Sequence, residues 1–176
     1  MSRTRRLSPC LLALLLLLGA AGPALAADEM PVPAKFQAVL FKRIFAYERV
    51  LKAEPQVRVL LAGTGNTEAA RALQQEFEAV GIPAAQVPAA KVAAELGEGT
   101  VLFLFPDSPA SLRELALKRK VLCISGFPAL VLAGNASIGV DKKADGKPQI
   151  LVHLPRLKAE GHELSADLLR LARVVP

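Results

Sequence analysis

The sequence predicts an α/β fold built on a mainly parallel sheet, ending in a C-terminal β-hairpin plus helix. Two patterns carry that expectation. Short, nearly continuous apolar runs alternate with segments whose apolar residues recur at helical spacing, as in strands joined by crossover helices. Beyond residue 136 the alternation stops. Two apolar strands there flank Ala144-Asp145-Gly146-Lys147, and Asp-Gly reads as a hairpin turn because Gly accepts positive φ.

Residues 27–33 form a Pro-containing, flexible leader. From Ala34 to about Ala53 the spacing is helical, with Phe36, Leu40, Ile44, Tyr47 and Leu51 on the face expected to turn inward. Lys35, Lys42 and Arg49 recur every seven residues on another face, while Phe41 and Phe45 sit one turn apart on a flank. Pro55 closes the helix. Val57–Ala62 reads as a strand, and Gly63-Thr64-Gly65-Asn66-Thr67 leads into a helix to about Val80 with Ala70, Leu73 and Phe77 inward. A weak strand (82–87) and a short helix (89–96) follow. Thr100–Phe105 is apolar almost throughout, as expected of a strand buried on both faces. Pro106-Asp107-Ser108-Pro109 starts another helix, through about Arg119, and a second buried strand, Val121–Ser125, follows. Ser137–Asp141 and Gln149–Leu154 form the hairpin. Ser165 caps a last helix whose inward residues are Leu164, Leu168, Leu171, Ala172 and Val175. There is no internal repeat, so residues 34–176 read as a single Rossmann-like domain.

The 176 residues carry 22 Lys+Arg against 16 Asp+Glu, a net charge of +6. The location of that excess decides its meaning. Arg3, Arg5 and Arg6 precede an apolar run from Leu11 to Leu18, and Ala24-Leu25-Ala26 supplies small residues at a cleavage site. A basic start, a short apolar middle and an A-x-A end describe a secretory signal peptide, residues 1–26, cleaved near Ala26. Removing it halves the positive excess and removes Cys10. The remaining charges are interspersed and show no interleaving with exposed aromatic residues, which argues against nucleic acid as a partner. Cys123 then stands alone, so no intramolecular disulfide can form. No stable membrane insertion of the mature chain is expected.

Candidate chemistry is sparse. Gly63-Thr64-Gly65-Asn66-Thr67 lies between a strand and a helix, where backbone N–H groups and hydroxyls can cradle an anion. The Thr-Gly-Asn-Thr run is similar to the phosphate loop of flavodoxins, so Thr64, Gly65, Asn66 and Thr67 offer an alternative reading: an exported binder of FMN or another small ligand. The plainer reading is a turn using Gly for geometry and Asn or Thr as a cap. Cys123 sits within Val-Leu-Cys-Ile, where it behaves as a small core residue. His153 and His162 show no spacing that would make a metal site or a Cys–His couple, so no catalytic residue, metal or cofactor is expected.

Three stretches resemble the YfiR family of small exported bacterial proteins. They are Leu40-Phe41-Lys42-Arg43-Ile44-Phe45-Ala46-Tyr47-Glu48-Arg49, then Gly134–Val140 with Lys147–Leu154, and finally Leu164–Ala172. The resemblance implies a periplasmic α/β domain that is not an enzyme. Such a domain would bind the periplasmic part of an inner-membrane signalling protein, a diguanylate cyclase or sensor kinase, and modulate its output. Phe41, Lys42, Phe45, Tyr47 and Arg49 are the expected contact residues, and the same flank could support a homodimer. Two features depart from the family pattern. Redox-sensitive members use cysteine pairs, which the mature chain lacks, and His153 stands where relatives often have Asn.

Overall fold

The computed structural model describes residues 30–63 and 67–176. A single sheet of seven strands runs through it in the order β2-β1-β3-β4-β5-β6-β7. The strands are β1 (Arg58–Ala62), β2 (Ala84–Gln86), β3 (Thr100–Leu104), β4 (Leu122–Ser125), β5 (Ile138–Lys142), β6 (Pro148–His153) and β7 (Arg173–Val175). The first five are mutually parallel; β6 turns back antiparallel on β5, and β7 adds parallel to β6. Strand order 2-1-3-4-5 is that of a doubly wound Rossmann-like sheet. The hairpin turn has the expected chemistry, with Gly146 at φ 84°.

Among the described residues seven α-helices cover the sheet: α1 (Ala34–Tyr47), α2 (Thr67–Ala79), α3 (Ala89–Glu95), α4 (Ala110–Arg119), α5 (Pro128–Leu132), α6 (Leu154–Ala159) and α7 (Ala166–Leu171). Because alternate residues of a strand point to opposite faces, the core divides in two. Val59, Leu61, Val101, Phe103, Ile124 and Val140 pack with α1, α2 and α7. Leu60, Leu102, Leu104, Cys123 and Leu151 pack with α3, α4 and α5. Strand β3 is buried along its whole length, as its unbroken apolar run requires.

Six of the seven phenylalanines make one continuous cluster on the first face. Phe41 stacks with Phe45 (ring centroids 6.2 Å apart) and meets Phe77 and Phe103 at 6.1 Å. Phe103 then touches Phe105 at 5.0 Å, which in turn reaches Phe127 at 6.0 Å. This cluster sets the rotation of α1 and corrects the expected inward face. Phe41, Ile44 and Phe45 are buried, whereas Phe36 and Tyr47, expected inside, are 55% and 51% exposed. The helix also stops at Tyr47, and Leu51–Ala53 continues only as one 3-10 turn.

The C-terminal third holds most of the other departures. Neither α5 nor α6 is apparent from periodicity, since each is little more than one turn long. Helix α5 starts on Pro128 and α6 has Pro155 as its second residue, and the fixed φ of proline suits the first helical turn. Ser165 does cap α7, accepting from Leu168 N. The helix ends early, however, leaving Leu171 75% exposed while the chain extends into β7.

Candidate functional site

The last turn of α1 is fastened to the segment before α7 by a buried carboxylate. Glu48 follows Phe41 by seven residues and Ile44 by four, so the helix carries it inward with them. It is fully buried. Its Oε2 accepts from Leu51 N at 2.6 Å, which holds the 3-10 turn, and its Oε1 accepts from Glu163 N at 3.0 Å. His162 brings Nδ1 to 3.2 Å from the same Oε1, while its Nε2 lies 3.2 Å from Lys120 O. Burial alone would raise the Glu48 pKa. The His162 contact and the two backbone N–H groups outweigh it, so the carboxyl sits below its ordinary range.

Backbone pairing completes the join. Glu48 and Leu164 form an isolated antiparallel bridge, with Arg49 N donating to Glu163 O at 2.9 Å and Ser165 N to Tyr47 O at 3.1 Å. Around this bridge opens a hollow of about 460 Å³, whose lining includes Tyr47, Arg49, Lys52, Glu163 and Ser165. Arg49 spans part of it with a 2.8 Å ion pair to Glu163, both side chains largely in water.

The structure separates the five expected contact residues. Tyr47 and Arg49 line the first hollow. Lys42 and Phe45 border a second, of about 320 Å³, with Leu51, Val57 and Ile82. Lys42 Nζ donates to Val80 O at 2.6 Å, just beyond the end of α2. Phe41 lines neither hollow. Its ring is wholly buried, and Phe45 is 4% exposed, so neither ring forms an accessible patch on the flank of α1. Glu48 and His162, which organise the site, were missed as site residues. The available signal was one carboxylate falling on the apolar face of an otherwise basic helix.

Strand β1, which precedes the alternative ligand loop, pairs with β2 on one side and β3 on the other, and in doubly wound sheets ligands bind outside the carboxyl ends of strands at such a switch point. Thr64, Gly65 and Asn66 fall outside the described residues, as does the side chain of Thr67. Beside the loop, Ser108 Oγ donates to Ala62 O and accepts from Phe105 N, joining the ends of β1 and β3. Through Glu48, His162 and Lys120 O, Tyr47 is placed near the start of β4, at the opposite end of the parallel strands from Ala62, the last residue of β1.

A second buried network involves Cys123. Glu160, fully buried, accepts from Cys123 N at 3.0 Å and from Ser137 Oγ, and pairs with Arg156 Nε at 2.6 Å. Arg156 Nη2 also donates to Arg113 O at 2.8 Å. Burial pushes the Cys123 thiol well above its usual range, and the Glu160 carboxylate adds to the effect. The thiol therefore stays protonated, in keeping with a core role. His153 caps α6, its Nδ1 accepting from Arg156 N at 3.1 Å. Among the described residues, no group of three or more His, Cys, Asp or Glu side chains could hold a metal ion.

A family model described as YfiR/HmsC-like matches residues 34–173. The chain belongs to the YfiR/HmsC-like family. The matched span runs from the start of α1 into β7, so both sides of the Glu48 join lie within the family domain. No curated protein sequence matches this YfiR/HmsC-like chain. Among solved structures it is similar to an ABC domain in complex with L-Trp from Streptococcus pneumonia, at 13% identity and a TM-score of 0.57. That alignment covers 82% of this chain and 60% of the other. At such identity the likeness shows a shared fold. None of the described helices of the YfiR/HmsC-like domain is long and apolar enough to cross a membrane.

Proposed function

We propose that the protein is a non-enzymatic periplasmic regulator that binds the periplasmic part of an inner-membrane signalling protein and modulates its output. The partner in this reading is a diguanylate cyclase or a sensor kinase. The family match over residues 34–173 carries the proposal. The signal-like residues 1–26 support it by assigning the chain to export. The end of α1, with Tyr47 and Arg49 at the Glu48 join and Lys42 beside the second hollow, is the surface proposed for contact. A regulator of this kind acts by binding one state of its partner better than the other.

Two measurements together test the reading: cyclic-di-GMP levels in a deletion strain, and identification of membrane proteins that co-purify with the tagged chain. A change in the nucleotide together with recovery of a cyclase or kinase supports it. Unchanged levels and no signalling protein recovered overturn it. The flavin alternative predicts a yellow purified protein or a melting temperature raised by added FMN.

A further inference from the structure

Helix α1 carries a second apolar periodicity, on the face turned away from the core. Phe36, Leu40, Arg43 and Tyr47 follow one another at intervals of four, three and four residues. That is the spacing of a seam that receives another helix. Phe36 and Tyr47 are 55% and 51% exposed, and Leu40 is half-buried at the edge of the core. Phe36 is the one phenylalanine left out of the interior cluster. The fold therefore spends the rest of its aromatic residues on packing and leaves this ring and the tyrosine in water.

Charge defines the occupant. Lys35, Lys42, Arg43, Arg49 and Lys52 are all exposed along α1 and the turn after it, and Glu48, the only acid from 34 to 53, is buried. Lys42 and Arg49 are engaged with Val80 O and Glu163. Lys35, Arg43 and Lys52 have no hydrogen-bond or ion-pair partner among the described residues. A second copy docked on this face by two-fold symmetry would set these cations against their own images, which disfavours self-association. An apolar ridge flanked by acids would match both the seam and the charge.

We propose that the outer face of α1 is a docking seam for an acidic amphipathic helix of a partner protein, with Phe36 and Tyr47 as anchors and Arg43 as the central cation. The 14-residue helix is about 21 Å long, room for a partner helix of about four turns. The proposal rests on the regulatory reading for the partner's being a protein, and it names the chemistry that partner presents.

Three synthetic helical peptides test it against the full mature chain. One bears Leu at alternating three- and four-residue spacing with Glu flanks, a second the same Leu pattern with Lys flanks, and a third Glu flanks with Ser replacing Leu. The expected result is saturable binding of the Glu–Leu peptide alone. Arg43→Glu and Phe36→Ser should each weaken it at least tenfold at unchanged melting temperature, and Arg43→Glu should gain affinity for the Lys-flanked peptide. Lys118→Glu, on exposed α4 across the sheet, should leave binding intact. Equal binding by the Arg43 and Lys118 variants overturns the proposal. So does binding to phosphatidylglycerol vesicles without peptide binding, or a dimer abolished by Phe36→Ser. If the peptides fail while the chain still recovers a signalling protein from membranes, the seam is wrong and the regulatory reading stands.

Discussion

Glu48 shows how a single side chain can connect distant parts of a chain. Its two oxygens receive the 3-10 turn, the segment at Glu163 and the ring of His162, leaving no exposed carboxylate on α1. A carboxyl whose folded pKa lies below its ordinary 4.5 adds stability above that value and loses it as pH falls through the lowered one. Glu48→Gln should therefore lower stability by about 1.5–3 kcal/mol at neutral pH. Denaturant titrations at several pH values should show that difference shrinking below about pH 4.5. A constant difference down to pH 3 would assign the effect to packing alone. The phenylalanines differ as sharply. Phe41→Ala empties a site walled by three other rings and should cost about 3–5 kcal/mol. Phe36→Ala, at a surface position, should stay within about 0.5 kcal/mol. Urea melts of the two variants compare them directly.

At the scale of elements, what the sequence makes plain is local and what it obscures is tertiary. Strand β3 is evident because a run buried on both faces leaves no polar position to confuse. The Asp145-Gly146 turn is evident because few residues accept its backbone. Helix α1 is ambiguous for a physical reason: it is apolar on two faces, and periodicity alone does not say which one the core takes. The sheet's phenylalanines decide that, drawing in Phe41 and Phe45 and turning Phe36 and Tyr47 outward. The candidate site was half legible for the same reason: Arg49 is exposed, as its place on the basic face suggests, whereas Tyr47, expected inward, lies outside and Glu48 lies inside. Helix α5 shows the contact its brevity hides. A methyl group on Gly139 of β5 would stand 2.5 Å from Val131 Cγ2 and 2.9 Å from Ser125 O. Gly139→Ala should thus lift α5 from the sheet and destabilise by about 1–3 kcal/mol. Hydrogen exchange should show the loss concentrated at 128–140, and uniform protection would refute it.

Across the whole molecule, the doubly wound portion ends at β5, and the antiparallel return of β6 gives the sheet a different edge. Strand β7 covers that edge with three residues, pairing Val174 with Val152 and burying Val175. Removing residues 173–176 should leave β6 with unpaired backbone groups, a template for aggregation. Light scattering of the truncated chain should rise with concentration at temperatures where the full chain stays monodisperse. The sheet order follows from alternating strands and helices, whereas β7 is three residues of a chain end that propensity reads as the tail of a helix.

The join at Glu48 also has a consequence in time. Its backbone partner, Glu163, lies 115 residues further along the chain. A polypeptide is made amino end first, so α1 exists long before the segment that fixes its last turn. Tyr47 and Arg49 acquire their final setting only when residues 162–165 arrive. The contact surface thus forms only on a chain that has been made and folded as far as Ser165.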